Sequence, residues 1–99
     1  KRHFASLITV FYLRRQDAHA AGPRIGFTVG KALGGAVQRN RIKRRLREAV
    51  RLTTAGVAFP ADVVINPKRS LLAADFAELK KEIGHAFRVI ERAMTFVRE

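Results

Sequence analysis

Cysteine is absent from the 99 residues, so neither a disulfide framework nor a thiolate metal centre can carry the fold or its chemistry. A reducing, cytoplasmic setting is the easier reading. No run approaches the roughly eighteen uninterrupted apolar residues that span a bilayer, which argues against a membrane-embedded chain. The opening stretch KRHFASLITVFYLRR has the basic head and apolar middle of a secretory signal. Its Thr, its Tyr and the Arg pair that follows fit an alternating strand better, and no small-residue cleavage site comes after it. Acidic side chains are scarce: eight Asp and Glu stand against twenty Lys and Arg, a formal charge of +12. Charge of one sign repels itself in a compact chain, and its usual use is attraction to a polyanion. Nucleic acid is the leading candidate, ahead of an anionic membrane surface or plain solubility.

What is present suffices for one hydrophobic core and hence one domain over residues 1–99, since 47% of the chain is hydrophobic. Residues 6–13, SLITVFYL, are β-branched and aromatic and predict a strand, with a shorter one around residues 2–4. Residues 14–23 end in Gly-Pro and read as a loop. RIGFTV, residues 24–29, predicts the next strand, in which Gly26 marks a bulge or a close backbone approach. Three glycines then make residues 30–36 a turn.

From Val37 the apolar positions Ile42, Leu46, Ala49, Val50 and Thr53 recur at helical spacing, with Gly56 as terminator. ADVVIN, residues 61–66, is a short buried strand closed by Pro67. Asp75 and Glu78 form an acidic variant of the capping box. After it Phe76, Leu79, Ile83, Ala86, Phe87, Ile90, Met94 and Val97 keep a helical period. Gly84 inside that helix suggests close packing against a neighbour. The order strand, strand, helix, strand, helix predicts an α+β or α/β sandwich, helices on a mixed sheet of three or four strands, with the first helix as a βαβ crossover.

That first helix carries most of the interest. Projected at about 100° per residue, it places Asn40, Lys43, Arg44, Arg47 and Arg51 on one outward ridge opposite the apolar stripe. Arg39 and Arg45 flank the stripe, where their stems could lie along the sheet with the guanidinium groups reaching out. Arg41 stands beside Glu48. Like charges at i,i+4 cost a few tenths of a kcal/mol per pair, and only Glu48 offsets them locally. A phosphate backbone reverses the sign of that cost: each Lys or Arg that neutralises a phosphate releases counterions, and Arg adds a fork matched to phosphate. Asn40 both donates and accepts, so it can reach a base edge, a 2′-hydroxyl or a phosphate.

The stretch RIGFTVGKALGGAVQRNRIKRRLREAVRL, residues 24–52, resembles the signature region of the protein subunit of bacterial ribonuclease P. The matching positions are Arg24, Gly26, Val29, Lys31, Ala36, Val37, Arg39, Asn40, Arg41, Lys43, Arg44, Arg47 and Glu48, and DVVINPKRSLLAADFAELKKEI is similar to the family's last strand and helix. The resemblance implies an α/β sandwich of the ribosomal protein S5 domain 2-like type with a left-handed βαβ crossover, an exception to the usual hand. It implies a subunit that binds the catalytic RNA of ribonuclease P and the 5′ leader of precursor tRNA, and assists removal of the leader. The Arg39-Asn40-Arg41 helix would face the RNA. Lys31 and Arg45 join the ridge and its flanks as RNA-binding candidates, and a cleft between sheet and helix would take the leader. No cofactor is implied on the chain itself; Mg²⁺ in the holoenzyme would be held mainly by RNA, and no catalytic residue is implied here.

Two departures from the family pattern stand out. These residues begin at the first strand, without the family's preceding basic helix, whose aromatics help line the leader cleft. Ala32 stands where the family usually has a second Lys after Lys31. The remaining leader-cleft candidates are Phe11 and Tyr12, which as strand neighbours point to opposite faces; Tyr12 is favoured because its hydroxyl wants a wet partner. A ribosomal protein or RNA chaperone would share this composition. A protein nuclease fits poorly, since His3, His19 and His85 lie in unrelated segments and the carboxylates do not cluster. A DNA-binding helix-turn-helix also fits poorly, because the basic helix is flanked by strands.

Overall fold

The computed structural model describes residues 1–14, 23–54 and 61–95. Four strands, β1 (Arg2–Phe4), β2 (Ile8–Arg14), β3 (Arg24–Phe27) and β4 (Ala61–Pro67), form one mixed sheet in the order β1-β2-β4-β3. β2 runs antiparallel to β1 and β4, whereas β3 and β4 are parallel, joined through helix α1 (Ala36–Thr53). Helix α2 (Phe76–Thr95) follows β4. The predicted α+β sandwich and crossover helix are both found.

Strand alternation and helical period meet in one core. Ile8, Val10 and Tyr12 of β2 and Ala61, Val63 and Ile65 of β4 point to the same side of the sheet. Against them pack Ile42, Leu46 and Ala49 of α1 and Leu79, Ile83, Ala86, Phe87 and Ile90 of α2. Both helices therefore cover one face and leave the other open. No helix among the described residues is long and apolar enough to cross a membrane.

Element ends follow from particular hydrogen bonds. β2 starts at Ile8 rather than Ser6 because residues 5–7 form the turn from β1, closed by the Ala5 N–H to the Ile8 carbonyl at 2.9 Å. Gly34 has φ +123°, a conformation side chains rarely adopt, and a Cβ there would run into Gln38. Gln38 in turn accepts the Gly35 N–H at 3.2 Å, fixing the entry to α1. At the other end the hydroxyls of Thr53 and Thr54 bond back to the carbonyls of Ala49 and Val50, both at 2.6 Å, and the Val50 carbonyl also accepts the Thr54 N–H at 2.9 Å, which closes the last turn. Short 3₁₀ segments at Lys31–Leu33 and Arg69–Ala73 were not legible in the sequence.

Two glycine expectations are corrected. β3 pairs with β4 in unbroken register through Gly26, and a Cβ at Gly26 would meet nothing within 4 Å, so there is neither bulge nor close approach. At Gly84 a Cβ would lie 4.0 Å from Thr53 of α1 and 3.6 Å from the Arg88 guanidinium, ordinary contact rather than tight packing. The terminator Gly56, position Val97 and most of the loop over 14–23 lie outside the described residues.

Candidate nucleic-acid interface

Burying Ile42, Leu46 and Ala49 fixes the rotation of α1 and turns its opposite side to solvent. Asn40, Arg41, Arg44, Arg47 and Arg51 are exposed there, and Lys43 and Arg39 are half-buried at the margins. Lys31 is exposed on the 3₁₀ turn ahead of α1, and its carbonyl accepts the Gly34 N–H at 3.1 Å, which ties it to the helix start. Ala32 is exposed beside it. The Nε of Arg39 is buried with no hydrogen-bond partner.

Glu48 turns to Arg51 rather than Arg41, donated to by Nε at 3.2 Å and by Nη2 as well. Those hydrogen bonds hold the Glu48 carboxyl below its usual range and push the Arg51 guanidinium up, so this pair stays charged. Among the described residues Arg51 is thus the one ridge cation with an acidic neighbour engaged. Arg45 corrects the expectation that its guanidinium reaches outward. Its Nη1 donates to the Leu71 carbonyl at 3.2 Å and its Nη2 to the Ala74 carbonyl at 2.6 Å. The physical reason is proximity: the half-buried stem passes the 3₁₀ segment and its end, whose carbonyls lie within hydrogen-bond reach. Arg45 is a positioning residue that clasps α1 to the connection before α2.

The open face of the sheet carries the second candidate surface. Phe11 is 38% exposed and Leu13 68% there, beside a cavity of about 380 Å³ lined also by Lys1, Tyr12, Asp62 and Val64. Tyr12 is only 8% exposed and belongs to the core under the helices. The two aromatics take opposite faces, Tyr12 on the side where both helices land and Phe11 on the open one, and both border the cavity. Arg24, part of the motif, forks onto Asp62 across the β3–β4 pair, with Nε to Oδ1 at 2.9 Å. His3 and His85, read as unrelated, are brought together with ring centroids 5.5 Å apart. No local pattern could have signalled that, because the contact depends on where α2 crosses the sheet edge.

A cationic helix on a crossover between parallel strands, in this sheet order, is an arrangement with known relatives. Residues 1–91 match the family model described as Ribonuclease P. The chain belongs to the ribonuclease P protein family. It is similar to the ribonuclease P protein component of Acidothermus cellulolyticus, with 42% identity over 81 residues that cover 82% of this chain and 68% of that protein. The Symbiobacterium thermophilum component is 39% identical over 98 residues, covering 99% of this chain and 82% of that one. Among solved structures, the ribonuclease P protein of Thermotoga maritima superposes with a TM-score of 0.76 at 22% identity, covering 88% of this chain and 80% of its own. The Staphylococcus aureus protein gives 0.75 at 20%, covering 91% and 80%. These structural likenesses speak for the fold; the sequence matches carry the family, and with it the role of protein component in an endoribonuclease holoenzyme.

Proposed function

We propose that this chain docks on the catalytic RNA of ribonuclease P through the exposed side of α1 and receives the 5′ leader of precursor tRNA on the open face of the sheet. The observation that carries the reading is the ridge of Asn40, Arg41, Arg44 and Arg47, turned to solvent by the same packing that buries Ile42, Leu46 and Ala49. Arg guanidinium groups fork onto phosphate oxygens, and Lys31 and Lys43 add point charges beside them. Phe11 offers a stacking surface to an unpaired base, with no demand on its identity. Lys1 sits at the same cavity to meet backbone phosphate.

On this reading the RNA would hold the Mg²⁺ that activates water for hydrolysis of the phosphodiester. Among the described residues no group of three or more His or carboxylate side chains is placed to hold a metal. The protein binds, orients and screens charge. Its setting is the cytoplasm, where precursor tRNA is processed.

Replacing Arg44 and Arg47 with Ala tests the docking face. Each phosphate contact contributes about 0.7–0.9 to the slope of log affinity against log salt, so the double variant should lower that slope by about 1.4–1.8. Extrapolated to about 0.15 M salt this is a loss of roughly 15- to 30-fold in affinity for the cognate RNA. An unchanged slope would rule the ridge out as the RNA face.

A further inference from the structure

Strand alternation sends Arg2 and Phe4 of β1 to the open face and His3 to the helix side, opposite Val10 of the core. There His3 meets His85 of α2, the rings tilted by 55°. The two imidazoles open onto a groove of about 430 Å³ between the β1–β2 turn and α2, walled further by Lys81, Glu82 and Arg88.

The groove is held in shape from both sides. Glu82 Oε1 accepts the Leu7 N–H at 2.9 Å, which fixes its carboxylate to the turn. Lys68 Nζ donates to the Ala5 carbonyl at 2.5 Å and Ser70 Oγ to the Ser6 carbonyl at 2.8 Å, tying the same turn to the 3₁₀ segment after β4. Arg2 faces away, over the Phe4 ring. Among the lining residues Glu82 is the only carboxylate, against Lys81 and Arg88 and two imidazoles that can each take a proton.

Two rings side by side resist being protonated together. Burial holds the His3 imidazole below its ordinary value, and the neighbouring His85 pushes it further down, against the pull of Glu82. A phosphate removes that conflict: its oxygens accept from both imidazolium N–H groups, with the Lys81 ammonium and Arg88 guanidinium at the rim. The surface continues beyond the groove, since Lys81, His85, Arg88 and Arg92 recur along α2 with the i, i+4, i+7, i+11 spacing of Asn40, Arg44, Arg47 and Arg51 on α1. We infer that the groove between β1 and α2 is a second phosphate subsite for nucleic acid, with His3 and His85 as its donors, distinct from the α1 ridge. The inference rests on the reading of the chain as an RNA-binding subunit and adds to it a contact that strengthens on acidification.

The test compares the full chain with the His3→Gln/His85→Gln and Lys81→Ala/Arg88→Ala variants. Affinity for ribonuclease P RNA is measured against salt at about pH 7.5 and about pH 5.5, a range in which histidine changes charge. For the unaltered chain, acidification should steepen the salt slope by about 0.7–0.9 and tighten binding about fivefold at about 0.15 M salt, one phosphate contact's worth. The histidine variant should lose that response. If it responds to pH as the unaltered chain does, the subsite is overturned. Flattening by Arg44→Ala/Arg47→Ala alone would then leave the ridge reading standing, whereas no flattening there sinks the ridge whatever the groove does.

A second measurement needs no RNA and tolerates a variant that folds poorly. Titrating inorganic phosphate into the full chain should shift the imidazole NMR signals of both His3 and His85, with chloride at equal ionic strength inert, and Lys81→Ala/Arg88→Ala should blunt the shift. Imidazole signals indifferent to phosphate overturn the proposal. So does histidine-dependent binding to phosphatidylglycerol vesicles with RNA binding unchanged, which would make the groove a lipid headgroup site.

Discussion

Arg45→Ala separates a side chain that holds the fold from one that holds RNA. Its guanidinium donates to two backbone carbonyls, Leu71 at 3.2 Å and Ala74 at 2.6 Å, across a sequence distance of more than a helix length. A hydrogen bond with one charged partner contributes about 1.5–3 kcal/mol. The two bonds share one half-buried group and are not fully additive, so the loss should come to about 2–3 kcal/mol. A domain of this size loses about 4–8 °C of Tm per kcal/mol, which puts the fall at roughly 10–20 °C in a thermal melt. Arg45→Lys should recover only part of it, because one ammonium cannot fork onto both carbonyls. At a temperature where the variant is still folded, its RNA affinity should keep the slope against salt of the unaltered chain. A melt unchanged by Arg45→Ala, together with a slope reduced by about 0.7–0.9, would show that Arg45 spends its charge on phosphate and that the clasp is unimportant.

Gly84→Ala should stabilise the chain by up to about 1 kcal/mol in urea unfolding, since the added methyl meets only ordinary contacts and helix propensity favours Ala. Phe11→Ala should weaken binding of leader-bearing precursor tRNA relative to leaderless tRNA by about 5- to 150-fold, the worth of one stacked base, while Tyr12→Phe leaves that ratio alone. Stability should also fall on acidification. His3 has its pKa lowered in the folded chain below the ordinary 6.5, so the unfolded chain binds the proton first. The contribution is complete above 6.5, is lost as pH drops from there towards the lowered folded value, and levels off beneath it. Melts across that window should show the slope, and His3→Gln should remove it.

Much of the architecture was legible because it depends on neighbours close in the chain. The stripe of Ile42, Leu46 and Ala49 is a local period, and burying it forces Arg44 and Arg47 outward whatever else the chain does. The strands around Val10 and Val63 follow in the same way from β-branched alternation. Ends were less legible. The turn before Ile8 and the 3₁₀ segment at Arg69–Ala73 are fixed by bonds reaching more than sixty positions along the chain, such as Ser70 to Ser6.

Composition and spacing alone therefore establish a cationic helix that must face outward, and a net charge of +12 that calls for a polyanion. Packing alone assigns the individual side chains. Alternation says that Phe11 and Tyr12 part company, but the landing of both helices on one face decides that Tyr12 is covered and Phe11 is open. Arg45 reads as one more basic residue until the carbonyls of Leu71 and Ala74 are brought beneath it. His3 and His85 share no local pattern at all; they meet because an edge strand and a helix eighty residues apart close on the same core, and contact between distant segments is set by the energy of that core rather than by any rule of adjacent residues.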